Sequence, residues 1–423
     1  MREEGIAFGS SGRTSCGADA TVQEPARSKA PMGSAALTRL AAAMMFLSGA
    51  GCAAWSAADA QEQMGTVMEL GGSRLAVSPQ EMRALSNLGN LARSGQKGPQ
   101  DRALAEARRV ANSRDARYAL ALYELEIGRR RGDDAMCAQA LDALIASQLT
   151  GRDRLPGHLA ARGQIAYRAG DFDTAGRLWA RLAELTPSDP DVFANLAQVR
   201  LAQKDAPGAM DLLTRAIAAR EGLGQAASEG WYRQRLSIAQ QGNLVAPGID
   251  AVRALVSAYP TPANWRAALV VYRQLAAPEE AFEIDLLRLM RHVSALAQAA
   301  EYQRMAQLLR QSGEPREAKA VLDEGITRGL LDAGTSPTRE IIAEVDRAVA
   351  KARSGSAARS ELRNKAGAQV RLGMSQLLAG QRAEAEAAFR SAAGDPAGGR
   401  YADLAFFWLT SLAQGQLAPM GAS

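Results

Sequence analysis

The chain has 423 residues, 47% hydrophobic and 5% aromatic, which is too apolar for a disordered protein. One core seldom grows past about 250–300 residues, so this length implies several domains or an extended repeat array. The net charge is +5, and the arginines alternate with acids, as in Arg316-Glu317 and Arg382-Ala383-Glu384, instead of forming the basic stripe a nucleic-acid surface needs.

Abundant Ala, Leu, Arg and Glu with few β-branched residues predict closely packed helices rather than sheet. Of the three cysteines, Cys16 and Cys52 fall in the N-terminal leader and only Cys137 remains, so no internal disulfide forms and packing alone holds the fold.

In chain order, residues 1–31 lack apolar periodicity and read as an unstructured extension before Met32, an alternative start. Residues 32–60 read as a signal peptide. Arg39 supplies the positive flank, Leu40 to Trp55 the apolar stretch, and Ala58-Asp59-Ala60 the small residues at −3 and −1, which places cleavage between Ala60 and Gln61. The competing reading is a lipid anchor, with Cys52 after Ala50-Gly51 as the acylated residue. A third is retention as an uncleaved anchor. No later apolar run approaches the roughly 18–20 residues that span a bilayer, so no integral span is expected once the signal is removed.

Residues 61–77 read as a mobile linker, and no strand is expected anywhere. Ser78-Pro79-Gln80-Glu81 then sets a cap, a first-turn proline and an N3 glutamate in order, opening degenerate helical repeats over 78–157. The same cap-then-proline device recurs at Asp189-Pro190, Thr261-Pro262 and Ser336-Pro337.

Between His158 and Ile217, Gly163, Phe172, Ala175, Trp179 and Leu182 return 34 residues later as Ala197, Ala206, Ala209, Leu213 and Ala216. A small residue on one helix lets the next cross closely, and a bulky residue fills the groove beside it. A period of 34 is that of a stacked helix-turn-helix unit. Gly170-Asp171-Phe172 with Ala175 and Pro187 in the first unit, and Leu196-Ala197 in the second, resemble the tetratricopeptide repeat family. Met305-Ala306, Gly313, Ala318 and Leu322 make a third match, and Leu372-Gly373, Gly380, Ala385, Phe389 and Ala392 a fourth. The stretches 259–275 (YPTPANWRAALVVYRQL) and 283–296 (EIDLLRLMRHVSAL) also resemble exported repeat proteins of Gram-negative bacteria, notably α-proteobacteria.

The resemblance implies an all-α, right-handed solenoid of stacked antiparallel helix hairpins. Two clear units occupy 158–221, degenerate repeats 222–296, a further unit 297–330, a C-terminal unit with a capping helix 331–413, and a flexible tail 414–423. It also implies a concave groove lined by the first helix of each pair, which takes a peptide or helix of another protein. By motif position the groove holds Ala160, Gln164, Tyr167 and Arg168, then Ala194, Asn195, Gln198 and Ala202, then Gln303, Gln307, Arg310 and Gln311. The plainer reading of each is a solvated inner face. The family's carboxylate clamp is not expected, because only Asn195 matches it.

No chemistry is expected. His158 and His292 have no ligand-spaced companions, so neither a metal nor a cofactor is implied. Cys137 reads as a buried thiol, and no nucleophile elbow, phosphate loop or dinucleotide fingerprint occurs. Asp133-Asp134 and Glu279-Glu280 fall at helix starts, where they offset the positive helix end. Phe406-Phe407-Trp408 cannot all face one core, since neighbours on a helix stand about 100° apart. Either the last helix is buried on both sides or one ring belongs to a docking surface. These features lead to a non-catalytic, periplasmic binding scaffold. The alternatives are an envelope enzyme using acidic residues on the concave face, and a self-associating repeat protein.

Overall fold

The computed structural model describes residues 66–94, 96–352 and 365–415. The chain divides into two compact units, Met1–Pro187 and Ser188–Ser423. Ala60, Gln61 and Cys52 lie outside the described residues, as do Ser354-Gly355-Ser356 and residues 416–423.

The first unit opens with a hairpin where a mobile linker was expected. Strands β1 (Thr66–Leu70) and β2 (Ser73–Val77) pair antiparallel, Thr66 opposite Val77 and Leu70 opposite Ser73. The reversal is made by Gly71 and Gly72 at φ 59° and 73°, a left-handed conformation that side chains resist and two-residue hairpin turns require. Met68, Leu75 and Val77 are buried, on the face that meets the helices which follow. That burial corrects the linker reading for residues 66–77.

Six helices follow: α1 (Pro79–Ala92), α2 (Lys97–Val110), α3 (Arg114–Arg131), α4 (Asp134–Ala146), α5 (Leu155–Arg168) and α6 (Phe172–Leu185). They pack as the hairpins α1/α2, α3/α4 and α5/α6, with β1 against α1 and β2 against α3. Ser78, Ser113, Asp133 and Asp171 cap α1, α3, α4 and α6 through their side-chain oxygens. Glu81 completes the box at Ser78, and its Oε1 also accepts the Asn112 and Ser113 N–H groups at 3.0 and 2.8 Å. One carboxylate thus ties the start of α1 to the start of α3. Burial pushes the Glu81 carboxyl up, but the bonds from Ser113 and Ser78 outweigh it and hold it below the usual carboxylate range.

The second unit contains α7 (Pro190–Ala202), α8 (Ala206–Gly222), α9 (Glu229–Gln241), α10 (Val245–Ala258), α11 (Pro262–Ala276) and α12 (Glu280–His292). It continues with α13 (Ala299–Gln311), α14 (Pro315–Thr327), α15 (Ser336–Ala352), α16 (Lys365–Leu378), α17 (Arg382–Ala393) and α18 (Arg400–Ala413). Asp189 and Thr261 cap α7 and α11, each followed by its proline. Among the described residues there are 18 helices and the single hairpin, so the fold is all-α and built of helix pairs.

One packing rule recurs. A small residue on the first helix lies 16 positions before a large one on the second: Gly163 and Trp179, Ala197 and Leu213, Ala239 and Leu255, Ala268 and Ile284, Ala306 and Leu322, Gly373 and Phe389. All twelve are buried. The two glycines stand opposite the two aromatics. A Cβ on Gly163 would lie 2.3 Å from Trp179 Nε1, and one on Gly373 2.7 Å from Phe389 Cε1. Where the partner is Leu or Ile, alanine fits. Ala175, Ala209, Ala318 and Ala385 are also buried, and Phe172 is half-buried. Cys137 is buried beside Gly128, where a Cβ would meet its Sγ at 2.9 Å.

A repeat array of this kind contacts mainly its nearest neighbours. The second unit departs from that, because α18 packs back onto α10 and α12. Phe407 meets Trp265 and Tyr272 edge-on at 6.4 and 5.2 Å between centroids, and Tyr401 meets Phe282 at 5.1 Å. Trp408 lies 4.7 Å from His292 and stacks on Phe389. Helix α12 is consequently buried nearly all round, from Phe282 to Leu287 and again at Leu289, Met290 and His292. Gln414, expected in a flexible tail, caps α18 and donates from Nε2 to the Val256 carbonyl at 2.9 Å.

Candidate partner-binding groove

The small residue of each first helix fixes a register. Counted from it, the candidate groove positions fall at −3, +1, +4 and +5, with Asn195 an exception at −2. In the first unit these are Ala160, Gln164, Tyr167 and Arg168 on α5. Gln164 and Arg168 are exposed. Arg168 Nη2 donates to Asp134 Oδ1 at 2.9 Å, which spends part of its charge on α4. Tyr167 is half-buried with its ring 5.4 Å from Phe172 and 5.8 Å from Trp179, so most of it packs the hairpin. A cleft of about 370 Å³ opens between α4 and α5, with Ile165 and Ala138 in its wall and Asp134, Arg162 and Arg168 among its polar residues.

In the second unit, Asn195 and Gln198 on α7 are half-buried, and so is Gln307 on α13. Two other α13 positions are taken up by α15, which lies beyond α14 in the chain. Gln303 Nε2 donates to Thr338 Oγ1 at 3.1 Å, and Arg310 pairs with Glu344 at 3.2 Å. The candidates therefore split into free amides and residues already engaged in helix-to-helix bonds.

The sequence reading missed the set on α11. Ala268 fixes the register there, giving Trp265, Leu269, Tyr272 and Arg273. The first three are fully buried, with Trp265 and Tyr272 against the Phe407 ring of α18. These three positions are apolar, and two of them pack against a helix of the same chain. The signal was available in the 16-residue spacing from Ala268 to Ile284, but the interval of 29 residues from Ala239 to Ala268 hid it.

Every strongly buried carboxylate of the second unit already has its donors. Asp285, with no exposed surface, accepts from Arg288 at 2.9 Å and from Arg371 at 3.0 Å. Glu283 takes Arg304 at 2.8 Å. Glu301 takes Arg266 and the Ala297 and Gln298 N–H groups, and these bonds hold it below the usual range against the upward push of burial. Asp403 pairs with Arg253 and accepts the Tyr272 hydroxyl at 2.9 Å. Carboxylates so occupied tie neighbouring helices together. His292 is buried without a hydrogen-bond partner inside the protein, and burial lowers its pKa. Among the described residues, no three His, Cys, Asp or Glu side chains cluster to hold a metal, and no helix is long and apolar enough to cross a membrane.

No family model matches the chain. It is similar to tetratricopeptide repeat protein 36 of Bos taurus, 36% identical over 78 residues, which are 18% of this chain and 42% of that protein. The chain thus matches less than half the length of that relative. A tetratricopeptide repeat protein from Parabacteroides merdae superposes with a TM-score of 0.26 at 12% identity, over 78% of this chain and 98% of the other. The P58(IPK) TPR domain gives 0.26 at 12%, over 80% and 99%, and yeast Tom70 gives 0.26 at 15%, over 67% of each. Superpositions this loose carry no argument, and the fold class rests on the helices and their packing rule. The chain is an all-α protein of helical hairpins similar to tetratricopeptide repeats.

Proposed function

We propose that the chain is a non-catalytic interaction scaffold that binds a peptide or helix of another protein along the inner helices of its hairpins. The observation that carries this reading is the α11 set: groove positions set by the repeat register receive a helix, that of the chain's own C-terminus. The exposed Gln164 on α5 and half-exposed Gln307 on α13 occupy the same register and offer amide groups suited to a partner's backbone.

A photo-crosslinking residue at Gln164 or Gln307 tests this in cells. A partner recovered from either position, and not from Arg181, exposed on α6 outside the groove register, is the expected outcome. Equal recovery from Arg181 would end the groove reading. The proposed setting is the bacterial periplasm, within an envelope assembly or export system, motivated by the signal-like stretch of residues 32–60. Mass spectrometry of the mature N-terminus decides between Gln61 and an acylated Cys52. Light scattering showing a concentration-independent monomer would remove the self-associating alternative.

A further inference from the structure

We infer that α18 is an intramolecular ligand of the α10–α12 seat, displaced by a partner helix of the same chemistry: a carboxylate followed at four and five residues by two aromatics. The inference rests on the groove reading above and names the partner's recognition pattern. In α18 the pattern is Asp403 and Phe407, which a helix sets one above the other, with Trp408 about 100° round the helix from Phe407.

The seat matches that pattern group by group. Arg253 of α10 pairs with the Asp403 carboxylate, and the Tyr272 hydroxyl of α11 donates to it at 2.9 Å. Trp265 and Tyr272 present their rings to the edge of Phe407, and His292 of α12 receives Trp408. The Arg253 guanidinium also lies 5.1 Å from the centroid of Phe406, the half-buried third ring of the run. Buried aromatic anchors are what carry a helix-in-groove contact, and here they are joined by an ion pair that is buried on the Asp403 side and part-exposed on the Arg253 side.

A second observation sets this contact apart from ordinary core. Among the described residues, six of the thirteen buried polar atoms that find no hydrogen-bond partner within the protein belong to this seat or to α18 and its cap. They are Arg253 Nε, Trp265 Nε1, both ring nitrogens of His292, Trp408 Nε1 and Gln414 Oε1. Each costs free energy relative to a satisfied group, so the seat holds α18 less firmly than its apolar area implies. A partner helix bearing side chains that reach the four of these atoms on the seat, Arg253 Nε, Trp265 Nε1 and the two His292 nitrogens, gains bonds that α18 does not make, which gives it a basis for exchange.

Hydrogen exchange and peptide binding on the full chain test this together. In the unaltered protein, amides of α18 should exchange at least tenfold faster than those of the enclosed α12, as a unit that opens without global unfolding. Co-exchange of α18 with α12 would show α18 to be permanent core and overturn the proposal. A fluorescein-labelled peptide of residues 399–414 should bind Asp403→Ala protein at least tenfold more tightly than unaltered protein, because the anchor is lost from α18 while Arg253 and Tyr272 remain. Adding Arg253→Ala should reverse that gain. Equal affinity for all three proteins, or a dimer formed by exchange of α18 between copies, would each overturn it. The exchange measurement stands even where Asp403→Ala folds poorly. If either experiment fails, crosslinking at Gln164 still tests the groove itself independently.

Discussion

Gly163→Ala puts the packing rule to a test of sign. In an open helix this change stabilises by up to about 1 kcal/mol, because alanine gives up less backbone freedom on folding. At residue 163 the new Cβ falls 2.3, 2.6 and 2.8 Å from Trp179 Nε1, Cδ1 and Cε2, inside contact distance at all three. The indole is pinned by its own bond to the Ala160 carbonyl at 3.3 Å and has no exposed side to retreat to. Overpacking of this kind costs about 1–3 kcal/mol, which set against a gain of about 1 kcal/mol leaves a net loss of about 0–2 kcal/mol. Gly157→Ala on the same helix meets nothing within 4 Å and should be neutral or slightly stabilising. The double change Gly163→Ala with Trp179→Leu transplants the pair found at Ala197 and Leu213, and should recover at least about 1 kcal/mol over the sum of the single changes. Urea titration by circular dichroism, with hydrogen exchange of peptides within 155–185, reads both effects. If Gly163→Ala proves as stable as Gly157→Ala, the glycine-under-aromatic rule fails, and with it the register that places the groove.

Other outcomes follow from the same structure. His292 is neutral in the fold with its pKa lowered by burial, so the unfolded chain binds the extra proton first. Its contribution to stability should be complete above about pH 6.5 and lost as pH falls below that through the folded value, and His292→Leu should flatten this slope in urea midpoints taken across pH. Asp285→Asn weakens the bond to Arg371 while Arg288 keeps Glu314 and Glu317, and should cost about 1–3 kcal/mol, read as a lowered melting temperature. Leu75→Ala should cost about 2–5 kcal/mol by emptying a fully buried site in the hairpin. Unchanged stability would return residues 66–77 to a linker.

Much of this architecture was legible because the information is local. Caps at Ser78, Asp189 and Thr261 and the Gly163–Trp179 and Ala197–Leu213 pairs are spacings within one or two turns or one hairpin. The strands were overlooked although Met68, Leu70, Leu75 and Val77 alternate around Gly71-Gly72, a period of two beside a favoured turn. They fell between a signal-like stretch and a clear helix start, and a five-residue strand is too short for periodicity to stand out. The docking of α18 was not readable at all. Asp403 meets Arg253 across 150 positions and Tyr272 across 131, and complementarity at that range leaves no period in the chain. The three-aromatic run did pose the right alternatives. Phe407 and Trp408 go inward, and Phe406 stays half-buried under Arg253.

The return of α18 to helices more than a hundred residues earlier also fixes the number of parts. An ordinary tandem array lengthens or shortens by whole hairpins, because each end looks like the next attachment point. Here an added pair between α12 and α16 would carry the Phe407 and Trp408 rings away from Trp265 and His292, and a deleted pair would leave them unable to arrive. The second half of the chain is therefore closed to growth by duplication, and ribosomal synthesis must deliver its last helix before the middle of that half can become fully dry.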